Sequence, residues 1–476
     1  MKITALEPRE IIEEQTPATD INETNGLSSL VREGAFANVF VVLTGGAFLT
    51  GLALYMGASD VQIGILAAAP FLMQSAQLLS PFLFKDPVSF KNRIVTTLGI
   101  SRILWLLIIP FILFTGSGRL TVLVGIVSLS GLLTMVSSPA WLSWIADVVP
   151  RNLRGRFFSR RNAAVAATTV AGTIIGSLIL DWSRGHKLED YGFSVIVLLA
   201  AAGALLAWHT MNRISAASGI RMNGHLPKPD LSAPFRNRTF RHLLIVFSAW
   251  NIAIGLAAAF FAPHMFINLK MSFFQVGIYT CVMALIGIVS SWIWGNLIDR
   301  FGSKPILNIC AFGIGFIPLI WLFAQPDSLW ILFPEAVYSG MLWAGFNVAA
   351  FTLPLDSSPR DNRTLFLSVF AALTGLAFFA SSILGGVIAG AMSGWSYVLF
   401  DRPLVNYHLL FIVSAVMRLL TAGLIAYFHE PSEIRLPVVI QLMGYAVLKR
   451  MSVGRQLFPF TNGVISADNN QKNFKN

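Results

Sequence analysis

The stretch Asp147-Val148-Val149-Pro150-Arg151-Asn152-Leu153-Arg154-Gly155-Arg156-Phe157 returns 209 residues later as Asp356-Ser357-Ser358-Pro359-Arg360-Asp361-Asn362-Arg363-Thr364-Leu365-Phe366. Both read Asp-x-x-Pro-Arg-x-x-Arg-x-x-Phe, and at the same shift Gly176 falls on Gly385. A shift of 213 sets Asn38 on Asn251, Phe48 on Phe261, Ser59 on Ser272, Gln62 on Gln275, Gly64 on Gly277 and Leu72 on Leu285. The same shift, without a gap, sets Asp86 on Asp299 and Lys91 on Lys304. Chance supplies scattered matches, but not an ungapped run carrying both acid–lysine pairs. Each half is a diverged copy of the other. Many secondary transporters are built from duplicated hydrophobic halves, so the repeat bears on function as well as fold.

The medium of the fold follows from composition. Of 476 residues, 55% are hydrophobic and 12% charged, with a mean hydropathy of +0.68. A water-soluble domain carries about 25% charged residues, so most of this chain is solvated by lipid. The two cysteines, Cys281 and Cys310, are too few for a disulfide framework or a metal cage and read as packing residues.

About 20 apolar residues cross a bilayer as a helix, and twelve such runs are expected. They are Gly34–Met56, Val61–Phe84, Ile94–Phe114, Leu120–Ala146, Ala163–Leu180, Phe193–Met211, Leu243–Leu269, Phe274–Ile298, Ile306–Ala324, Leu329–Leu355, Leu365–Met392 and His408–Phe428. Lipid offers the backbone no hydrogen-bonding partner, so these runs must be helical. Lys and Arg crowd the loops after even-numbered spans, eighteen against five after odd ones. The positive-inside rule then places both termini in the cytoplasm of a cell-membrane protein.

This organisation predicts a polar cytoplasmic tail over 1–27, a six-helix bundle over 28–211, a basic, proline-broken linker over 212–240, a second bundle over 241–430, and a tail over 431–476. Within that last tail, Pro437–Arg450 fits a helix lying along the membrane interface. The net charge of +11 arises from cations spread over membrane-edge loops, so membrane lipid and not nucleic acid is the partner it implies. No cofactor is expected, and a monomer suffices.

After the eighth run comes Gly295-Asn296-Leu297-Ile298-Asp299-Arg300-Phe301-Gly302-Ser303-Lys304. It matches Gly-x3-Asp-Arg-x-Gly-x-Lys, and with twelve spans, a central basic linker and the Asp147–Arg156 stretch the chain resembles the major facilitator superfamily. The resemblance implies an all-α integral membrane protein in which twelve helices form two six-helix bundles related by the repeat. In the first-half copy Asp86 and Lys91 remain, but Phe82, Pro87 and Ser89 replace the two glycines and the arginine of the signature.

The turn has its own chemistry. Gly302 suits a backbone bend with positive φ, and a small residue at Gly295 suits close helix approach. Asp299 at a membrane edge can accept from the N-terminal amides of a facing helix, worth ~0.3–1 kcal/mol and up to ~2 kcal/mol when partly buried. By the resemblance, its partner is the start of span 5 beside Arg154 and Arg156, and Asp86 faces the start of span 11 and Arg363. Together with Arg151, Asp147, Asp356, Arg360, Arg300, Lys304 and Lys91 these form a latch that closes the cytoplasmic side. The plainer reading is that the charges fix topology.

A transporter built from repeats binds its solute near the midplane, between repeated units. The resemblance makes spans 1, 4, 7 and 10 the cavity walls. They offer Asn38 and Asn251 as a symmetric pair, Ser137, Trp141 and Trp144 on one face of span 4, Trp250 on span 7, and Tyr338 and Asn347 on span 10. Pro139 is expected to break span 4. Glu335, read as the sole carboxylate well inside a span, costs ~2.5–3.5 kcal/mol to insert unless neutral, paired or hydrated. That makes it the candidate proton carrier. Arg102 and Arg418 lie deep in spans 3 and 12 and read as structurally paired or snorkelling cations. His209 and His264 are expected at interfacial water.

The function these readings favour is a secondary transporter of a small organic solute working by alternating access, with proton coupling through Glu335. A drug or metabolite efflux antiporter is the alternative, although Ser177 stands where the antiporter motif of helix 5 carries Pro. A transport-inactive sensor or scaffold is the alternative of another class. No Gly-x4-Gly-Lys-Ser/Thr loop provides for ATP, and no His-Glu-x-x-His or comparable cluster provides for an intramembrane enzyme.

Overall fold

A computed structural model describes residues 21–84, 89–114, 116, 118–149, 153–214, 230, 232–359, 362–399 and 402–427. Residues 1–20 of the expected tail, most of the linker and the interfacial helix over Pro437–Arg450 lie outside these residues.

Span 1 runs Ile21–Leu43 and, after a break at a positive-φ Gly46, Gly46–Tyr55. Span 2 is Asp60–Met73, a 3-10 stretch Gln74–Leu79, and Ser80–Leu83. Span 3 is likewise divided, into Phe90–Ile103, Leu104–Ile108 and Ile109–Leu113. Pro70 and Pro110 lie in or beside these irregular stretches. A proline there supplies no backbone N–H and loosens the α ladder. Spans 4, 5 and 6 are Arg119–Val148, Arg154–Gly185 and Glu189–Arg213.

Span 7 runs Arg238–Ala258, then Phe261–Pro263 and a π turn His264–Asn268. Spans 8 to 12 are Phe273–Phe301, Ser303–Ile320, Leu332–Asp356, Arg363–Ala391 and Asn406–Tyr427. Eleven of the twelve are long and apolar enough to cross a membrane, the remaining one being the divided span 2. A short antiparallel hairpin, β1 (Ser396–Leu399) with β2 (Arg402–Val405), links spans 11 and 12. No strand was expected there.

The repeat is visible in local geometry. Ser59 caps span 2 and Ser272 caps span 8, with φ/ψ of −72°/162° and −73°/162°. Gln62 and Gln275 reach back to close the same capping box in each, satisfying two orphan donors at each helix start.

Three expectations change. Span 4 continues unbroken through Pro139, because neighbouring groups in a packed bundle can re-satisfy the freed backbone. Span 5 begins at Arg154 rather than Ala163, so Arg156, Arg160 and Arg161 are helical and not loop residues. Span 1 begins at Ile21, which brings Glu33 into the helix.

By packing, one compact unit is built from the described residues within 1–48, 79–116 and 129–224, and a second from those within 49–78, 117–128 and 225–476. In the first, span 1 lies against spans 5 and 6, and Leu30, Phe40, Ile94, Ile108, Trp144 and Ala200 form the core. In the second, span 11 lies against spans 7 and 2, and span 8 against span 10. Phe240, Trp250, Phe260, Ile306, Trp321 and Phe411 are its core.

Sequence ancestry assigns span 2 to the first half, yet its packing is with span 11. The reason is a seam of small residues. A Cβ added at Gly64 would stand 2.6 Å from the Ser382 carbonyl oxygen, and Gly375 abuts the Phe71 carbonyl as closely. Ser382 donates to the Gly64 carbonyl at 3.0 Å, and Phe71 stacks on Phe378 at 3.8 Å. In lipid, where apolar burial drives no association, such close approach supplies the packing energy.

Candidate functional site

In the first unit, the polar side chains of span 1 turn inward. Glu33 is 1% exposed, and its two carboxylate oxygens face Arg102 of span 3 at 3.9 Å and Arg161 of span 5 at 3.8 Å. The Arg161 guanidinium also lies over the Trp141 ring of span 4, 4.8 Å from its centre. It rests against Gly34, where a Cβ would stand 2.8 Å from its Nε. One turn further on, Asn38 donates to the Val165 carbonyl at 3.0 Å and to the Thr168 and Thr169 hydroxyls at 3.1 and 2.8 Å.

Arg102 is thus the structurally paired cation that was expected. Glu33 corrects the view that Glu335 is the sole carboxylate inside a span. Drawing span 1 from the first uninterrupted apolar run at Gly34 hid it by one residue. Ser137 and Trp144 are fully buried, and Ser137 donates to the Leu133 carbonyl at 2.8 Å. Both are core residues here, whereas Trp141 is half-buried. Lys91 donates to the carbonyls of Asn212, at 2.9 Å, and Ile214, so it caps the end of span 6.

In the second unit, Glu335 is 2% exposed and accepts a 2.7 Å hydrogen bond from Tyr279 of span 8. Its other oxygen has no hydrogen-bond partner among the described residues, with Trp321 and Ser339 nearby. A cavity of about 170 Å³ lies on the Tyr279 side of this pair, lined by Gln275, Tyr279, Val282, Leu332 and Ala336 but not by Glu335 itself. Beyond Trp321, whose ring meets Tyr279 edge-on at 5.6 Å, stand His264 on the π turn and His408 at the start of span 12, 4.8 Å apart.

His264 is buried and not at interfacial water. Nothing in the sequence signals the histidine pair, which joins residues 144 positions apart. Tyr407 beside it donates to Asp60 of span 2 at 2.6 Å. Arg418 is fully buried, with its Nε unpartnered among the described residues. It therefore packs inside the second unit and does not snorkel.

The other cavity candidates divide. Trp250 is buried and stacked on Phe346 at 4.8 Å, which is packing. Asn251 donates within its own helix to Phe247 at 2.8 Å, so it does not mirror the contacts of Asn38. Tyr338 donates to the Gly313 carbonyl at 3.0 Å. Asn347 is exposed.

Gly302 has φ +86°, as the turn requires. No described atom would lie within 4 Å of a Cβ at Gly295, so the expected close helix approach is not made there by described residues. Asp299, Arg300, Arg156 and Asp356 are exposed, Arg363 is half-buried and Lys304 is buried. Asp86, Arg151 and Arg360 lie outside the described residues, and the side chains of Asp147 and Arg154 are not described.

Duplicated six-span halves, helix starts capped identically at corresponding positions, and buried ionisable groups inside the spans define a polytopic helical membrane protein. Residues 34–382 match the model of the Major Facilitator Superfamily, and the chain belongs to that family. It is 24% identical over 343 residues to the glucose facilitated diffusion protein of Zymomonas mobilis, covering 58% of this chain and 72% of that one. It is 26% identical over 138 residues to the class H tetracycline resistance protein of Pasteurella multocida, covering 29% of this chain and 33% of that one. Among the first curated relatives the chain spans only 33% to 55% of their own length. The nucleoside transporter NupG shares its fold, with a TM-score of 0.60, 13% identity, and coverage of 85% of this chain and 98% of that one.

Proposed function

We infer that this protein is a secondary transporter which moves a small organic solute across the cell membrane by alternating access. The observation that carries the reading is the pair of matching capping boxes, Ser59/Gln62 and Ser272/Gln275, at the starts of corresponding spans. They mark two structural repeats, and family membership supplies the class. In this reading the two repeats, roughly 28–211 and 241–430, rock about a site between them. Both termini are cytoplasmic, as the Lys/Arg bias implies, and a single copy transports.

The Gly295–Lys304 turn acts as the cytoplasmic latch, with Asp299 engaging the start of span 5 near Arg154 and Arg156, and Asp86 doing the same near Arg363. Asn38, Trp141, Tyr338 and Asn347 are the cavity residues that remain best placed. Glu335 carries the coupling proton. A buried carboxylate with one bonded and one unpartnered oxygen is stable in lipid when neutral, and Tyr279 holds it in place.

A relative named for facilitated diffusion of glucose supports a small organic solute. Uptake by proteoliposomes of a metabolite panel, with and without an imposed pH gradient, tests the reading. Solute accumulation that collapses with the gradient is expected. Absence of uptake or counterflow of any solute from protein that is folded and inserted would overturn it in favour of a sensor or scaffold.

A further inference from the structure

The first unit holds a charge imbalance that packing alone does not require. Two guanidinium groups, Arg102 and Arg161, converge on the single carboxylate of Glu33, leaving one positive charge without a counter-charge among the described residues. The pairing is loose. Both separations lie near 4 Å, and neither Glu33 Oε2 nor Arg161 Nε has a hydrogen-bond partner among the described residues. Their environments also differ: the Glu33 side chain is 2% exposed and the Arg161 side chain 20%. Arg161 is thus the most exposed member of the cluster, against 13% for the Arg102 side chain, and its guanidinium lies over the Trp141 ring.

Burying an unmatched cation in lipid is costly, and such residues face a bundle interior or an aqueous cavity where something pairs with them. The guanidinium fork suits a planar oxyanion, which it can grip with two parallel N–H bonds. We propose that Arg161, backed by Arg102 and set against the Trp141 face, binds the oxyanion group of a small anionic solute, a carboxylate or phosphate, with Glu33 as the internal counter-charge it displaces. The proposal rests on reading the chain as a solute transporter and names the substrate class. A neutral sugar or a cationic drug would leave the excess charge unmatched.

The geometry gives opposite signs to two substitutions. Arg161→Gln removes the anion's partner. Glu33→Gln removes its competitor, a gain that a purely structural ion pair does not produce. The test is thermal unfolding of the purified full-length protein in neutral detergent. The probes are benzoate, citrate, glycerol phosphate and inorganic phosphate, with benzamide and glycerol as uncharged counterparts and phosphatidylglycerol vesicles as a lipid anion.

The expected result is stabilisation by soluble anions but not by the uncharged counterparts. Arg161→Gln should need about tenfold more anion and Glu33→Gln about tenfold less, as suits a charge contact a few ångströms away in a partly desolvated site. If Arg161→Gln is not monodisperse, the sign of the Glu33→Gln shift decides. The proposal is overturned by stabilisation that ignores charge, by an anion response unchanged in Glu33→Gln, or by a response confined to phosphatidylglycerol. Proteoliposome uptake separates this from the reading it rests on. Uptake of an uncharged solute unaffected by Arg161→Gln overturns the anion site and leaves transport standing. Anion binding without uptake overturns transport and leaves the site.

Discussion

The Tyr407 hydroxyl donates a 2.6 Å hydrogen bond to the Asp60 carboxylate, joining residues 347 positions apart in the chain. Asp60 opens span 2 and Tyr407 opens span 12, so the bond ties spans from opposite sequence repeats at the same end of the molecule. It extends a seam that continues through Ser382 and Gly64 to the stacked Phe71 and Phe378. In the alternating-access cycle proposed above, this seam is expected to open once per turnover.

Removing the hydroxyl while keeping the ring isolates the bond. Tyr407→Phe leaves a carboxylate short of one charge-assisted donor, a cost of about 1.5–3 kcal/mol. We expect a lower unfolding midpoint in detergent by several degrees, and a smaller drop for Asp60→Asn, which keeps an acceptor. Equal midpoints for Tyr407→Phe and the parent would show that the bond carries no weight.

The seam itself is steric. Gly64→Leu places atoms where the Ser382 backbone stands, and overpacking of this kind costs about 1–3 kcal/mol or forces the helices apart. Membrane insertion should be normal while solute uptake falls sharply. Gly390→Leu, on span 11 where a Cβ meets no described atom, serves as the control and should insert and unfold like the parent.

Because the Ser59 and Ser272 caps have the same geometry, their loss should cost the same. Each Ser→Ala change is expected to destabilise by about 1 kcal/mol, and the double variant by the sum. Hydrogen exchange at the first turns of spans 2 and 8 reads this directly. Faster exchange at one span only would mean that the second box is incidental.

Glu335→Gln keeps the shape of the side chain and removes its proton exchange. Counterflow of solute should persist and pH-driven accumulation should be lost. Tyr279→Phe should keep accumulation but slow it, since the carboxylate loses only its positioning donor. Accumulation by Glu335→Gln at the parent level would remove Glu335 from the coupling path.

Much of the architecture is legible because lipid imposes length and composition on every span. The repeat aligned the residues that form both capping boxes, without marking them as caps, and Gly302 adopts the expected positive φ. What stayed hidden is tertiary. Glu33 and Arg161 lay just outside the apolar runs that define spans, yet both helices begin earlier and carry the two charges into contact. The span 2–span 11 seam, where a Cβ at Gly386 would stand 2.8 Å from the Asp60 carbonyl oxygen, had a faint signature in the four-residue spacing of Ser382 and Gly386, but spacing does not name the partner helix. The tryptophans of span 4 are one face by periodicity, and only packing tells that Trp144 is core while Trp141 meets Arg161.

The central claim is that the two repeats move against each other so that one membrane face opens as the other closes. Spin labels at exposed Arg160 and Asn296, which the Lys/Arg bias assigns to the cytoplasmic side, and at exposed Arg184 and Lys270, which it assigns to the other side, allow pulsed distance measurements in liposomes, the native Cys281 and Cys310 being buried. Adding a transported solute should lengthen one distance and shorten the other in the same sample. Distances that stay single and fixed at both ends, or that change together, would contradict alternating access for this protein.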